Sequence, residues 1–149
     1  MTISTRGRYA LRIMMELGGR PGETVKVKEI AAKQCISEKY MEQIIAVLNK
    51  AGLVRSIRGA QGGYQLVKEP KEYSVGMVLR AIEGSLAPVE CLGDNALPCD
   101  RTSRCATVEI YKRIYEAVNS VIDNTTVQDL LDIEKQKCSD YDGAPEYII

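Results

Sequence analysis

The sequence predicts a mainly α-helical fold with a small β wing: a winged helix-turn-helix module followed by a long dimerisation helix. Three observations predict it. Helical apolar spacing recurs three times before Gly52 and then yields to two short β-type runs around a glycine-rich tip. The formal net charge is zero, yet residues 1–68 hold 12 Lys+Arg against 5 Asp+Glu, whereas residues 69–149 hold 8 against 15. A long helical run near the C-terminus carries apolar residues on two faces rather than one.

The 149 residues suffice for one core with an appendage, and 45% hydrophobic with 27% charged residues is the composition of a globular chain. There is no His. That excludes Ser-His-Asp and Cys-His nucleophile pairs, an imidazole general base and His-ligated zinc, so an enzyme is not expected. No apolar run approaches the roughly 20 residues a membrane helix requires. Met1 to Arg6 lead directly into an amphipathic pattern without signal-peptide character, and a cytoplasmic location is expected.

From Thr5 to Gly18, Ala10, Ile13, Met14 and Leu17 recur at helical spacing until Gly18-Gly19-Arg20-Pro21-Gly22 stops the run. A second helix fits Val27 to Gln34, with Ile30 and Ala31 inward. Cys35-Ile36 form a short turn before Ser37, an N-cap for a third helix striped by Met41, Ile44, Ile45 and Leu48 and ended by Gly52. Leu53 to Ile57 and Tyr64 to Val67 read as strands of a hairpin tipped by Arg58-Gly59-Ala60-Gln61-Gly62-Gly63. That tip lacks the Gly-Lys-Ser/Thr ending of a phosphate loop, and no helix follows it.

In a helix-turn-helix the second helix of the pair enters the major groove N-terminus first. Here that end presents Ser37, Glu38, Lys39, Glu42 and Gln43. Lys suits guanine, Gln adenine, and Glu the amino group of cytosine. Arg58 at the tip suits the negative potential of a minor groove. Double-stranded DNA is therefore the expected partner of the basic half.

Val75, Val78, Leu79 and Ile82 mark a fourth helix, Ser74 to Glu83, packing back on this module. Residues 85–102 show no period and read as a loop long enough to be functional. In the following helix, Ser103 to Asp123, Val108, Tyr111, Tyr115, Val118 and Ile122 form one seam, and Ile110, Ile114, Ala117 and Val121 a second. One seam can pack on its own chain and the other on a second copy. A two-fold homodimer on a pseudo-palindromic operator follows. A short helix from Thr126 to Glu134 and a flexible tail, 135–149, complete the chain.

Of five cysteines, Cys91, Cys99 and Cys105 cluster as Cys-x7-Cys-x5-Cys around this loop. Three soft thiolates on a loop can wrap an iron–sulfur cluster or zinc, and free thiols are a third reading. Cys35 reads as a small buried hydrophobe and Cys138 as inert.

Arg6-Gly7-Arg8-Tyr9-Ala10, Tyr40-Met41-Glu42-Gln43, Ala51-Gly52-Leu53-Val54 and Arg58-Gly59-Ala60-Gln61-Gly62-Gly63-Tyr64 resemble the bacterial winged-helix regulators that include IscR, NsrR and CymR. The resemblance, nearest to the IscR type, runs from Met1 to about Leu131. It implies a homodimer with base contacts from Lys39, Glu42 and Gln43 and minor-groove contacts from Arg58 and Gly59. It also implies that Arg6, Arg8, Ser37 and Tyr40 lie at the DNA surface. Cys91, Cys99 and Cys105 resemble the cluster-binding cysteines of IscR, with a longer first spacing, and imply a 2Fe–2S cluster, with 4Fe–4S or zinc as alternatives.

The fourth ligand stays open. Val108 stands where IscR has a histidine, and Arg8 where some NsrR proteins use an acidic residue of the partner subunit. Cys35 of the second subunit, Thr107, Glu109 or an exogenous molecule are the candidates. The domain organisation expected is a DNA-binding module over 1–84, a cysteine loop over 85–102, a dimerisation region over 103–134 and the tail. The function implied is an iron–sulfur-responsive transcription factor governing cluster biogenesis; a nitric-oxide or redox sensor of NsrR type and a cysteine-metabolism regulator of CymR type are the alternatives.

Overall fold

In the computed structural model, which describes residues 2–142, the helices are α1 (Thr5–Gly18), α2 (Val27–Gln34), α3 (Glu38–Lys50), α4 (Val75–Glu83), α5 (Ala106–Asp123) and α6 (Val127–Asp142). Strands β1 (Val54–Ile57) and β2 (Gly63–Leu66) pair antiparallel between α3 and α4, with Val54 opposite Leu66 and Ile57 opposite Gly63. The fold is thus mainly helical with a two-stranded wing. No helix among the described residues is long and apolar enough to cross a membrane.

Serine begins three of these helices. Ser4, Ser37 and Ser74 each accept the backbone N–H three residues on, from Gly7 at 3.1 Å, Tyr40 at 3.2 Å and Met77 at 3.1 Å. Each cap satisfies an otherwise orphaned donor and contributes about 1 kcal/mol. Behind the caps, the stripes on α1 (Ala10, Ile13, Met14), α2 (Ile30, Ala31) and α3 (Met41, Ile44, Ile45, Leu48) close into one buried cluster with Val54 and Val78. Complete burial of each large aliphatic side chain contributes roughly 1.5–3 kcal/mol, which holds α1, α2 and α3 together.

α4 divides its apolar face. Val78 joins the head's core, whereas Val75 and Leu79 form a second cluster with Ile122 of α5. The expectation that all four residues pack on the first module is therefore corrected. Backbone bonds reinforce the joint: Val75 N–H donates to Thr125 at 2.8 Å and Val127 N–H to Tyr73 at 2.9 Å. Arg80 adds a forked interaction, donating to Asp123 Oδ1 at 2.6 Å and Oδ2 at 3.0 Å and to Asn119 at 2.7 Å. The guanidinium in turn holds the Asp123 carboxyl below the usual range.

Two boundaries differ from expectation. α5 starts at Ala106 rather than Ser103, because 102–104 form a 3₁₀ turn in which Arg104 N–H donates to Arg101 carbonyl at 2.8 Å. α6 continues to Asp142, so residues 135–142 are helical rather than tail; the rest of the expected tail lies outside the described residues. Residues 132–141 are all exposed, and a helix without a buried stripe leaves no apolar period to read.

Candidate nucleic-acid interface and cysteine loop

The turn between α2 and α3 is Cys35-Ile36-Ser37. Cys35 adopts left-handed φ 54° and caps α2, its N–H donating to Ala32 carbonyl at 3.2 Å. That conformation turns its side chain into solvent, so Cys35 is exposed and not a core residue. Ser37, Glu38, Lys39, Glu42 and Gln43 are all exposed along the first turns of α3. Tyr40 is half-buried: its ring meets that of Tyr9 edge-on at 6.1 Å, and the Arg12 guanidinium lies 5.3 Å from the Tyr9 ring centre. The start of α3 is thereby pinned to the first turns of α1.

Arg6 and Arg8 are exposed in that part of α1, Arg8 donating to Thr5 Oγ1 at 3.1 Å. At the wing tip Arg58 and Gly59 are exposed, and Gly59 has φ 112°, which side chains rarely adopt. Gly62 N–H donates to Gly59 carbonyl at 2.9 Å and closes the tip. Among the described residues five of the Lys and Arg side chains (Arg20, Lys33, Lys71, Arg80 and Lys112) are ion-paired and fifteen, including Arg6, Arg8, Lys39 and Arg58, are not. It is therefore position, not the lack of a partner, that sets the candidate DNA contacts apart. Unpaired guanidinium and ammonium groups at a helix-turn-helix and a wing tip are available to phosphates.

Cys91 is exposed in a 3₁₀ turn, Glu90–Leu92, and Cys99 is exposed where its carbonyl accepts from the Thr102 backbone and hydroxyl. Cys105 is half-buried and precedes α5. Thr107 Oγ1 lies 3.3 Å from its Sγ; that hydroxyl and the Val108 backbone N–H bring the thiol below its usual range. In kind these donors suit a thiolate-ligated centre, but they are three where such a centre takes four. Their placement is open, since among the described residues no three Cys, Asp or Glu lie close enough together to hold a metal ion. Of the fourth-ligand candidates, Thr107 faces Cys105, Glu109 pairs with Lys112, and Cys35 sits at the helix-turn-helix.

The two seams of α5 separate. Val108 and Ile122 are buried and Tyr111, Tyr115 and Val118 half-buried, whereas Ile110, Ile114 and Val121 remain 47%, 42% and 65% exposed.

Sequence reasoning missed three side chains. Tyr73 is fully buried, its hydroxyl donating to Leu53 carbonyl at 3.0 Å and accepting from Lys68 N–H at 2.7 Å. Arg80 and Glu83 make partners 43 and 79 residues away, and no local pattern announces such pairs.

A winged helix-turn-helix followed by a long helix is shared by many regulators, and comparison with known proteins narrows it. The Rrf2 family of iron-dependent transcriptional regulators matches residues 3–133. This chain belongs to the Rrf2 family. The transcriptional regulator CymR of Bacillus subtilis is 46% identical over 131 residues, covering 87% of this chain and 89% of that protein. The solved structure of CymR, the global cysteine regulator of B. subtilis, superposes with TM-score 0.74 at 42% identity, covering 89% of this chain and 98% of that one. The structure of T. potens IscR gives TM-score 0.74 at 36% identity over 99% of this chain and 95% of that one. As an Rrf2 protein the chain is a DNA-binding transcriptional regulator and not an enzyme. Identity is higher to CymR than to IscR, so the expected nearness to the IscR type rests on the loop cysteines alone.

Proposed function

We propose that this Rrf2 protein is a cytoplasmic homodimer that binds a pseudo-palindromic operator and adjusts its grip in response to an iron–sulfur cluster. Cys91, Cys99 and Cys105 would hold the cluster, of 2Fe–2S type with 4Fe–4S or zinc as the alternatives, and genes of cluster assembly are the expected targets. The observation that carries the reading is the position of the cysteines: all three lie in the one connection between α4, which packs on the DNA-reading head, and α5, whose exposed seam fits a second copy. When bound, the cluster supplies a redox-sensitive link among these thiolates.

The chain's own residues do the rest. Lys39, Glu42 and Gln43 meet base edges in the major groove, while Ser37 and Tyr40 flank them. Arg58 reaches the minor groove beside Gly59, and Arg6 and Arg8 meet phosphates. Glu42 is the selective element, since a carboxylate near phosphates opposes binding unless a cytosine amino group donates to it. Ordering of the loop biases how the two heads sit on the α5 pair, which is differential affinity for two conformations.

A CymR-type regulator of cysteine metabolism is the second reading, favoured by the 46% identity and by the separation of the three cysteines. Anaerobic isolation with iron and sulfide quantitation, on the parent and on Cys99→Ala, decides between them. The first reading expects iron and acid-labile sulfide in the parent and their loss in the variant. Colourless, iron-free parent that still binds its operator overturns it in favour of the second.

A further inference from the structure

Glu83 is the last residue of α4, immediately before the cysteine loop, and its carboxylate is spent on the far end of the chain. Its Oε1 accepts from Ser4 N–H at 3.0 Å and from Ser4 Oγ at 2.6 Å, while Ser4 Oγ accepts from Gly7 N–H at 3.1 Å. The N-cap of α1 is therefore itself held by α4. The first turn of α1 contains no acidic residue and carries Arg6 and Arg8 instead. Cations at the positive end of a helix are unfavourable, and an anion there is favourable by about 0.3–1 kcal/mol. Glu83 supplies from another element the charge the helix lacks.

Gly7 makes this possible. It is buried, and a Cβ at this position would overlap Glu83 Oε1. A glycine inside a helix costs about 1 kcal/mol relative to alanine, and here the cost admits the carboxylate. Tyr9, in the next turn, stacks edge-on against Tyr40, so the first turns of α1 run beside the start of the recognition helix α3.

We propose that Glu83 is a positioning residue for DNA binding: it fixes the first turn of α1, and with it Arg6 and Arg8, against the phosphates flanking α3. It does so from the residue at which the cysteine loop begins, so the loop and the phosphate-binding cations share one anchor. The proposal rests on the reading that Arg6 and Arg8 meet DNA.

The test uses the full-length protein as isolated, a duplex operator fragment, and the slope of log K against log salt. The variants are Gly7→Ala, Glu83→Ala, the Arg6→Ala/Arg8→Ala double, and Gly7→Ala added to that double. Gly7→Ala keeps every charged group and displaces the ends of two side chains, the Glu83 carboxylate and the exposed Ile3. Alanine's stronger helix preference offsets the lost cap contact, so the variant's melting temperature should stay near the parent's. Expected is weaker binding in both Gly7→Ala and Glu83→Ala, with a slope shallower by about 0.9 for each phosphate no longer neutralised. No further weakening should appear when Gly7→Ala is added to the arginine double. The sign for Glu83→Ala is diagnostic, because removing a negative charge without a positioning effect strengthens DNA binding. Parent-like slopes in Gly7→Ala and Glu83→Ala, with a shallower slope in the arginine double, overturn the proposal and leave the interface reading standing. A parent-like slope in the arginine double overturns both.

Discussion

Ile114→Glu on the exposed seam of α5 should dissociate the proposed homodimer. Ile110, Ile114 and Val121 are 47%, 42% and 65% exposed in the single chain. Complete burial of such a side chain contributes roughly 1.5–3 kcal/mol, so covering the exposed half of each contributes about 1 kcal/mol. Two-fold symmetry counts every residue twice, giving about 6 kcal/mol from this seam before the cost of association. Replacing Ile114 withdraws about 2 kcal/mol of that sum and strands two carboxylates at the interface, at about 1–3 kcal/mol or more. A total near 4 kcal/mol raises the dimer dissociation constant about a thousandfold. Sedimentation equilibrium over a range of protein concentrations reads this directly, with the exposed Glu116→Ala as the control. Operator affinity should fall with it, because one head makes half the contacts. If Ile114→Glu sediments as the parent does, the seam does not face a second copy, and the apolar residues on it need another explanation.

Three further outcomes follow from particular contacts. Tyr73→Phe leaves Lys68 N–H without its partner and Leu53 carbonyl with Val67 N–H alone, at 3.3 Å, which should cost about 1–3 kcal/mol and lower Tm by about 2–4 °C per kcal/mol in thermal melts. Burial raises the Tyr73 phenol above its ordinary value; its contribution is complete below the unfolded pKa and fades as pH rises through the folded one, so alkaline melts of Tyr73→Phe should lose this component. Asp123 is held below the carboxylate range by Arg80, so the pair contributes above the unfolded pKa and is lost as pH falls through the folded one. The pair is partly exposed, and Asp123→Asn should cost no more than about 1 kcal/mol at neutral pH, with the difference from the parent vanishing in acid urea titrations. Glu42→Ala should broaden the operator sequences bound, and unchanged preference across operator variants would rule out a selective role for Glu42.

The head was legible because its signals are local. A serine cap followed by i, i+3, i+4 spacing specifies α1 and α3, and the change of period at Leu53 specifies the wing. The double seam of α5 was equally readable, since each face has its own run of spacings, and the fold buries or half-buries one and leaves the other exposed. What stayed hidden depends on tertiary geometry. Glu83 carries no mark of its partner Ser4, and Gly7 reads as an unfavourable helix residue until the carboxylate beside it is seen. Cys35 was misjudged because composition speaks for burial, whereas its left-handed backbone turns the thiol outward. The polar end of α6 has helix-forming residues without a buried stripe, and periodicity is silent there. The three loop cysteines were easy to group by spacing, but spacing does not say that Cys91 and Cys99 lie exposed on separate turns.

In the proposed function Arg6, Arg8, Lys39 and Arg58 grip a duplex and the cysteine loop adjusts the grip. One titration tests it: operator binding by anaerobically isolated protein, before and after removal of bound iron, across a range of salt concentrations. Expected are a steep log–log dependence on salt in both forms and an affinity that changes when iron is removed, with Cys99→Ala behaving as the iron-free form throughout. Binding indifferent to ionic strength, or identical curves with and without iron, would contradict it.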